Sequence, residues 1–377
     1  MGNLSLFKEQ FNNRDGIHFN NAGQSPISNQ AADRVKQVLE IQHQRATRGD
    51  SELLSMLGVA RERLAHFLGA SASEVAYTQN CASALSQAAL GFPLAKGDVV
   101  ITLDQEYASN FYPWKTACER SGARLEVVPS HSNLEVNLEA LYSAMRPPVK
   151  VVAVSWVQFQ TGSVLDLKKL GDHCHAQGAF LVVDGIQALG QLPFSFHDLP
   201  VDFIAGASHK WISGPLGQGF FAVKPELMKL LSPVLIGAGT YNRRGNFADP
   251  HAAMMDSAMR FEPGGLAFLP LFGMDSAIEL LLETGMDQIE SEIRKLSSRL
   301  RAGILALGLK LVTPLEQRGG ITSLQMEPEL ETRFLNRCRE LNISIMKRGE
   351  VVRISPHAFC NEAEVEQVLH VLKGVTL

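Results

Sequence analysis

Two side chains in this sequence have the types and placement for covalent chemistry on a carbonyl compound. The apolar run Leu181-Val182-Val183 ends in Asp184, and a second, largely apolar run from Val201 to Ala207 leads into Ser208-His209-Lys210-Trp211. A lysine at the end of a buried strand is desolvated, which lowers its pKa and turns its amine into a nucleophile toward carbonyls. A carboxylate held near it completes the arrangement suited to pyridoxal 5'-phosphate (PLP), with the lysine as Schiff-base partner and the aspartate on the pyridinium nitrogen. Plainer readings stand beside these: Asp184 also suits a helix N-cap, and Lys210 a surface loop. Gln187 follows Asp184 by about one helical turn. Gly214, Gly217 and Gly219 flank Pro215 after Lys210, as in a loop that closely approaches a ligand or a neighbouring chain. His209 suits orientation of a cofactor, a proton transfer, or packing.

These side chains need a scaffold that brings strand ends together. Strand-like runs at Val75–Thr78, Asp98–Thr102, Arg124–Val128, Val149–Trp156, Ala179–Val183, Phe203–Ala205 and Gly219–Val223 alternate with helical stretches. The helical stretches start at Ala82 and cover Trp114–Ser121 and Asp166–Ala176. That alternation predicts an α/β fold with a mostly parallel central sheet, its binding residues gathered at strand ends. A long helical region from Phe268 to Leu307 leads into a small α+β part. This part holds strands at Ile321–Gln325, Ile343–Met346 and Val351–Ile354 and helices at Leu330–Leu341 and Glu362–Leu372. We therefore expect a large domain over 15–265 and a smaller one built from 1–14 and 266–377.

Composition narrows the function classes. With 377 residues, 45% hydrophobic and 20% charged, the chain reads as globular and large enough for two domains. A net charge of −4 gives no reason to expect nucleic acid or an anionic membrane as partner. No signal-like segment opens the chain and no apolar run reaches a membrane span, so the expectation is a cytoplasmic protein. The 5 cysteines form no CxxC pair, which points away from zinc and disulfide frameworks. Asp172-His173-Cys174-His175 has metal-ligand residue types, but neighbours on a helix face different ways, so no metal site is expected there.

The string Val201-Asp202-Phe203-Ile204-Ala205-Gly206-Ala207-Ser208-His209-Lys210, with Gly217 and Gly219 after it, resembles the PLP-attachment signature of class V aminotransferases. That family includes cysteine desulfurases, selenocysteine lyases, isopenicillin N epimerase-like enzymes and kynureninases. The resemblance implies fold type I and a homodimer with active sites at the subunit interface, acting on a small amino acid. It implies that Lys210 carries PLP, that Asp184 pairs with the ring nitrogen, and that Gln187 contacts the region of the phenolic oxygen. Tyr107, in Glu106-Tyr107-Ala108-Ser109-Asn110, would stack on the ring where many relatives have histidine. Arg353, in Arg353-Ile354-Ser355-Pro356-His357, would clamp the substrate carboxylate. Asn21 and Ala22, in Asn20-Asn21-Ala22-Gly23, resemble a substrate-side turn. Plainer readings are a core aromatic for Tyr107 and a structural ion pair for Arg353.

The phosphate would lie on Cys81, Ala82 and Ser83 at a helix N-terminus, with help from Ser208 and, from the partner subunit, Gly265. Relatives commonly carry threonines at Cys81-Ala82 and at the Gly265 region. Gln158, in Gln158-Phe159-Gln160-Thr161-Gly162, matches a kynureninase-like spacing and would donate to the phenolic oxygen; it also reads as a polar residue at a strand end.

Desulfurases need a cysteine on a loop shortly before the arginine. Residues 342–352 contain none, Cys338 reads as a surface residue, and Cys360 lies beyond Arg353. Transamination is the favoured reaction, with C–S lysis, epimerisation and kynureninase-type cleavage as alternatives. From another class, a catalytically silent PLP-fold binding protein is disfavoured by retention of Asp184, Lys210 and Arg353. Arg243 and Arg244 lie in a loop suited to reading a second, distal carboxylate, or to simple solvation.

Overall fold

In the computed structural model, which describes residues 3–242, 246 and 248–376, seven strands form one sheet. Their order is Val75–Thr78, Gly219–Val223, Phe203–Ala207, Phe180–Asp184, Val149–Ser155, Val99–Leu103 and Arg124–Val128. Neighbours run parallel except at Gly219–Val223, which is antiparallel to both strands beside it. All seven expected strands are present. Side chains alternate between two apolar layers. Val100, Val151, Val182 and Phe203 meet Leu85, Ala88 and Trp114 on one face, and Ile101, Val152, Val183 and Ile204 enter the larger core on the other. Burial on both faces is why the inner strands read as nearly unbroken apolar runs, whereas the edge strand Arg124–Val128 is largely exposed and carries Arg124 and Glu126.

Two long helices, Asn29–Arg45 and Asp50–Leu68, and the shorter Asn3–Glu9, Leu138–Ala144 and Pro225–Leu230 lie outside the stretches expected to be helical. The first of the long helices is rich in Gln and Arg and buries only a thin stripe, Ala31, Val38 and Ile41. Both long helices pack on Phe268–Thr284. The long helical region expected to reach Leu307 breaks at Gly285 (φ 91°) into Phe268–Thr284 and Met286–Ala306. That left-handed backbone is accessible to glycine and ends the first helix.

A four-stranded antiparallel sheet follows, in the order Lys310–Leu311, Thr322–Gln325, Val351–Ile354, Met346–Arg348. The expected strand Ile343–Met346 is two pieces. Ile343–Ser344 pairs in parallel with Ile17–His18, while Met346–Arg348 joins the small sheet. Asn20 also bridges Ser355. Residues 17–20 thus pair with the C-terminal part, which carries the turn at Ala22 beside the strand that holds Arg353.

Cys338 is not at the surface. It is 1% exposed and lies on the buried side of the amphipathic helix Pro328–Glu340, with Phe334. On Leu167–Ala176, Cys174 packs on Met145, His173 meets the Tyr142 ring and His175 bonds Asp202, so these side chains do diverge. Among the described residues no helix is long and apolar enough to cross a membrane.

Candidate active site

Two parallel strands end level, with Ser155 paired to Asp184, and the third, whose Ala205 pairs with Asp184, runs on to Ala207. A cavity of about 230 Å³ opens beyond these ends, the position where open α/β sheets bind ligands. Lys210, Asp184, Tyr107 and Arg353 all line it.

Lys210 is half-buried, and its Nζ has no hydrogen-bond partner among the described residues. It lies 5.8 Å from the centre of the Tyr107 ring. Burial lowers the amine's pKa to about 8; Asp184 opposes that shift, and Arg353 and Arg348 add to it. Asp184 is 3% exposed. Its Oδ1 accepts from the Ile186 N–H at 3.0 Å and from Cys81 Sγ at 3.5 Å; Oδ2 accepts from nothing among the described residues. Burial raises this carboxyl's pKa, while the Ile186 N–H, Lys210 and the thiol pull it back.

Arg353 comes from the small sheet and is 1% exposed. Nη1 donates to Phe159 O at 2.8 Å, and Nε and Nη2 are buried without partners. Burial, and next the charge of Arg348, bring its pKa down to about 9. Tyr107 is 49% exposed and meets Phe159 edge to face at 5.2 Å. His209 also lines the cavity, and burial lowers its pKa to about 4, so its imidazole is neutral at pH 7.

The loop carrying Lys210 is pinned from behind. Gln187 reaches the cavity wall but commits both ends of its amide: Nε2 donates to Ala22 O at 2.9 Å and Oε1 accepts from Trp211 Nε1 at 3.0 Å. Trp211 O in turn accepts from His357 Nε2 at 2.9 Å, and His357 Nδ1 accepts from the Ala358 N–H at 2.8 Å. These bonds select one neutral tautomer, and burial first of all lowers the His357 pKa to about 4. The sequence reading gave Trp211 and His357 no role; their only signal was adjacency to Lys210 and Arg353.

Several expected contacts are not brought into the cavity. The Gln158 amide turns away, with Nε2 on Glu106 Oε1 at 3.0 Å. Glu106 also takes Asn110 Nδ2, Ser155 N and Ser155 Oγ, and so ties the Tyr107 turn to the end of strand Val149–Ser155. Ser208 Oγ donates to Pro215 O within its own loop. Asn21 is fully buried and bonded to His18 O, Ser355 O and Ser25 Oγ, which holds Ala22, not a ligand. Ser83 gives its hydroxyl to Asn80, the N-cap of helix Cys81–Gly91. Ser83 and Gly265 instead line an adjoining cavity of about 570 Å³ across that helix terminus, with Asn80 and Ala82 on the walls of both. The adjoining cavity's one charged wall residue, Glu262, is already engaged twice by Arg61. Cys81 lines the main cavity, but its thiol is spent on Asp184, and burial pushes its pKa well above the ordinary value.

The donors and acceptors left over fit PLP. An unpartnered amine, an unpartnered carboxylate oxygen and a guanidinium with free N–H groups line one cavity. Ala82 adds the start of an 11-residue helix, where the Cys81 and Ala82 N–H groups have no protein acceptor among the described residues.

Comparison with known proteins agrees. The aminotransferase class-V family model matches residues 17–368. A probable cysteine desulfurase from Pyrococcus abyssi is 28% identical over 337 residues, covering 83% of this chain and 82% of the relative. Isopenicillin N epimerase from Amycolatopsis lactamdurans is 30% identical over 346 residues, covering 86% of each. Among solved structures, the apo cysteine desulfurase from Thermococcus onnurineus NA1 superposes with a TM-score of 0.85 at 24% identity, over 96% of this chain and 94% of that one. A C-DES variant with glycine covalently linked to its PLP cofactor gives 0.91 at 20% identity, over 97% and 98%. The fold is that of type I PLP-dependent enzymes.

Proposed function

The chain belongs to the aminotransferase class-V family of PLP-dependent enzymes, and on that premise we propose that it transaminates a small amino acid with Lys210 as its catalytic group. The observation that carries this reading is an unpartnered amine with a pKa near 8 in one cavity with Asp184 and Arg353. Bound PLP supplies an electron-withdrawing ring that lets a bond at the substrate's Cα break. Lys210 would hold the cofactor covalently, Asp184 Oδ2 would accept from its ring nitrogen, Tyr107 would offer an aromatic face, and the Cys81 and Ala82 N–H groups would hold its phosphate. Arg353 grips the α-carboxylate through Nε and Nη2. Lys210 Nζ would also take the substrate's Cα proton and later return it; a pKa near 8 suits both halves of that transfer.

A persulfide relay through a protein thiol has no support here. Among the described residues Cys81 is the one cysteine on the cavity wall, and its Sγ is occupied by Asp184. The desulfurase relatives favour a second reading, C–S lysis of a sulfur-containing amino acid without such a relay. We also propose that the protein works as a cytoplasmic homodimer. Leu235 and Ile236, 62% and 63% exposed, form an apolar surface, and Leu235 borders the cavity that holds Gly265.

Purified protein given PLP should show the violet absorption of a lysine-bound cofactor, and Lys210→Ala should not. A colourless wild type, or a band that persists in Lys210→Ala, overturns the proposal. Amino acids are then screened with and without a 2-oxo acid acceptor. Keto-acid formation that depends on the acceptor supports transamination. Sulfide with pyruvate, formed without an acceptor, establishes the second reading.

A further inference from the structure

The main cavity holds more positive charge than the proposed function uses. Lys210, Arg348 and Arg353 line it against a single carboxylate, Asp184. In that reading Asp184 serves the ring nitrogen, Lys210 the covalent attachment and Arg353 the α-carboxylate. Arg348 is left over. It is half-buried, and among the described residues it forms no ion pair and no side-chain hydrogen bond.

Its backbone is built in firmly. Arg348 ends strand Met346–Arg348 and pairs with Val351 across the turn at Gly349 (φ 57°). A Cβ on Gly349 would come within 2.9 Å of Gln160 Nε2, and that same nitrogen donates to Arg348 O at 3.5 Å. The turn is therefore pressed on the 158–162 loop. Arg353 is fastened to the neighbouring residue of that loop, Phe159. Two guanidiniums thus enter one cavity from adjacent strands, each tied to the same loop, close enough for Arg348 to disfavour the charge on Arg353. Two like charges held side by side without a protein counter-ion destabilise the free site and favour a ligand with an anion for each.

We propose that Arg348 recognises a second anionic group on the substrate, so that the enzyme prefers an amino acid with a side-chain carboxylate. This rests on the function proposed above. Arg243 and Arg244, the arginines of the expected distal-carboxylate loop, lie outside the described residues.

The test is calorimetric binding of unreactive acids to the PLP-loaded protein, which reads affinity with no turnover. Glutarate or succinate should bind on the order of tenfold to a hundredfold tighter than butyrate, the range expected for one added charged hydrogen-bonding contact. Arg348→Met should erase that preference and leave butyrate within about twofold of wild type, and Arg348→Lys should restore part of it. Equal affinities in the wild type overturn the inference. So does a preference that survives in Arg348→Met, or a loss that strikes butyrate and glutarate alike, which would assign both arginines to one carboxylate. The absorption band is the control. A wild type that takes up no PLP defeats the function and this inference together; a normal band without dicarboxylate preference defeats the inference alone.

Discussion

Arg353→Met should make the ligand-free protein more stable and carboxylate binding weaker. Arg353 is 1% exposed, with one hydrogen bond, to Phe159 O, and two buried nitrogens without partners. Moving its pKa from the ordinary 12.5 to about 9 corresponds to at most about 5 kcal/mol of unfavourable burial of charge. Because the folded-state pKa is the lower one, that cost is fully present below about pH 9 and fades only as the pH climbs toward 12.5. At pH 7 methionine removes all of it. Against the gain stand the lost bond to Phe159 O, about 1 kcal/mol, and imperfect packing, about 1–2 kcal/mol, for a net gain of roughly 1–3 kcal/mol. Unfolding entropy near 2.1 cal/mol/K per residue over 377 residues then gives a Tm increase of about 1–4 °C. Losing a charged hydrogen-bonding partner should meanwhile cost the substrate carboxylate about 2–3 kcal/mol, about 30-fold to 150-fold in Kd. Thermal melts of ligand-free protein and calorimetry with butyrate read the two effects separately. A Tm that drops by several degrees with butyrate affinity unchanged would refute the reasoning and make Arg353 a structural tie of the 158–162 loop.

Three further outcomes are expected. In cofactor-free protein, only the neutral Lys210 amine attacks an aldehyde, so the rate of PLP uptake should rise with pH around a midpoint near 8. Asp184→Asn, by removing the anion that supports the charged amine, should move that midpoint lower, and a wild-type midpoint above about 9.5 would contradict the burial argument. Gln187→Ala cuts the bonds to Ala22 O and Trp211 Nε1 and strands a buried indole N–H; urea unfolding should show a loss of about 2–4 kcal/mol. Tyr107→Ala removes a side chain that is 49% exposed. Stability should change by less than about 0.5 kcal/mol while PLP affinity drops about tenfold, and dialysis showing unchanged affinity would exclude the stacking role.

The inner sheet strands were legible because burial on both faces leaves few polar interruptions, and Asp184 and Lys210 were legible because each follows such a run; the edge strand Arg124–Val128, with Arg124 and Glu126, is largely exposed. Helix Asn29–Arg45 was not legible, although Ala31, Val38 and Ile41 keep helical spacing on one face, because most of its residues are polar and its apolar stripe is short. The site shows the same division. The identity of the reactive groups and of their cofactor was decided by local sequence: a lysine and a carboxylate placed where burial makes them costly unless used. Which polar atoms remain free was decided only by tertiary contacts. Gln158 spends its amide on Glu106, Ser208 its hydroxyl on Pro215, Asn21 its side chain on His18, Ser355 and Ser25, and Cys81 its thiol on Asp184. Arg348 keeps its guanidinium unspent, at a turn that no nearby motif marks as part of the site. The physical reason is range. Burial and charge type are written residue by residue, whereas the partners of Cys81 and Gln158, and the Ser355 partner of Asn21, lie 52 to 334 positions away and meet them only once the strands and the loop are in register.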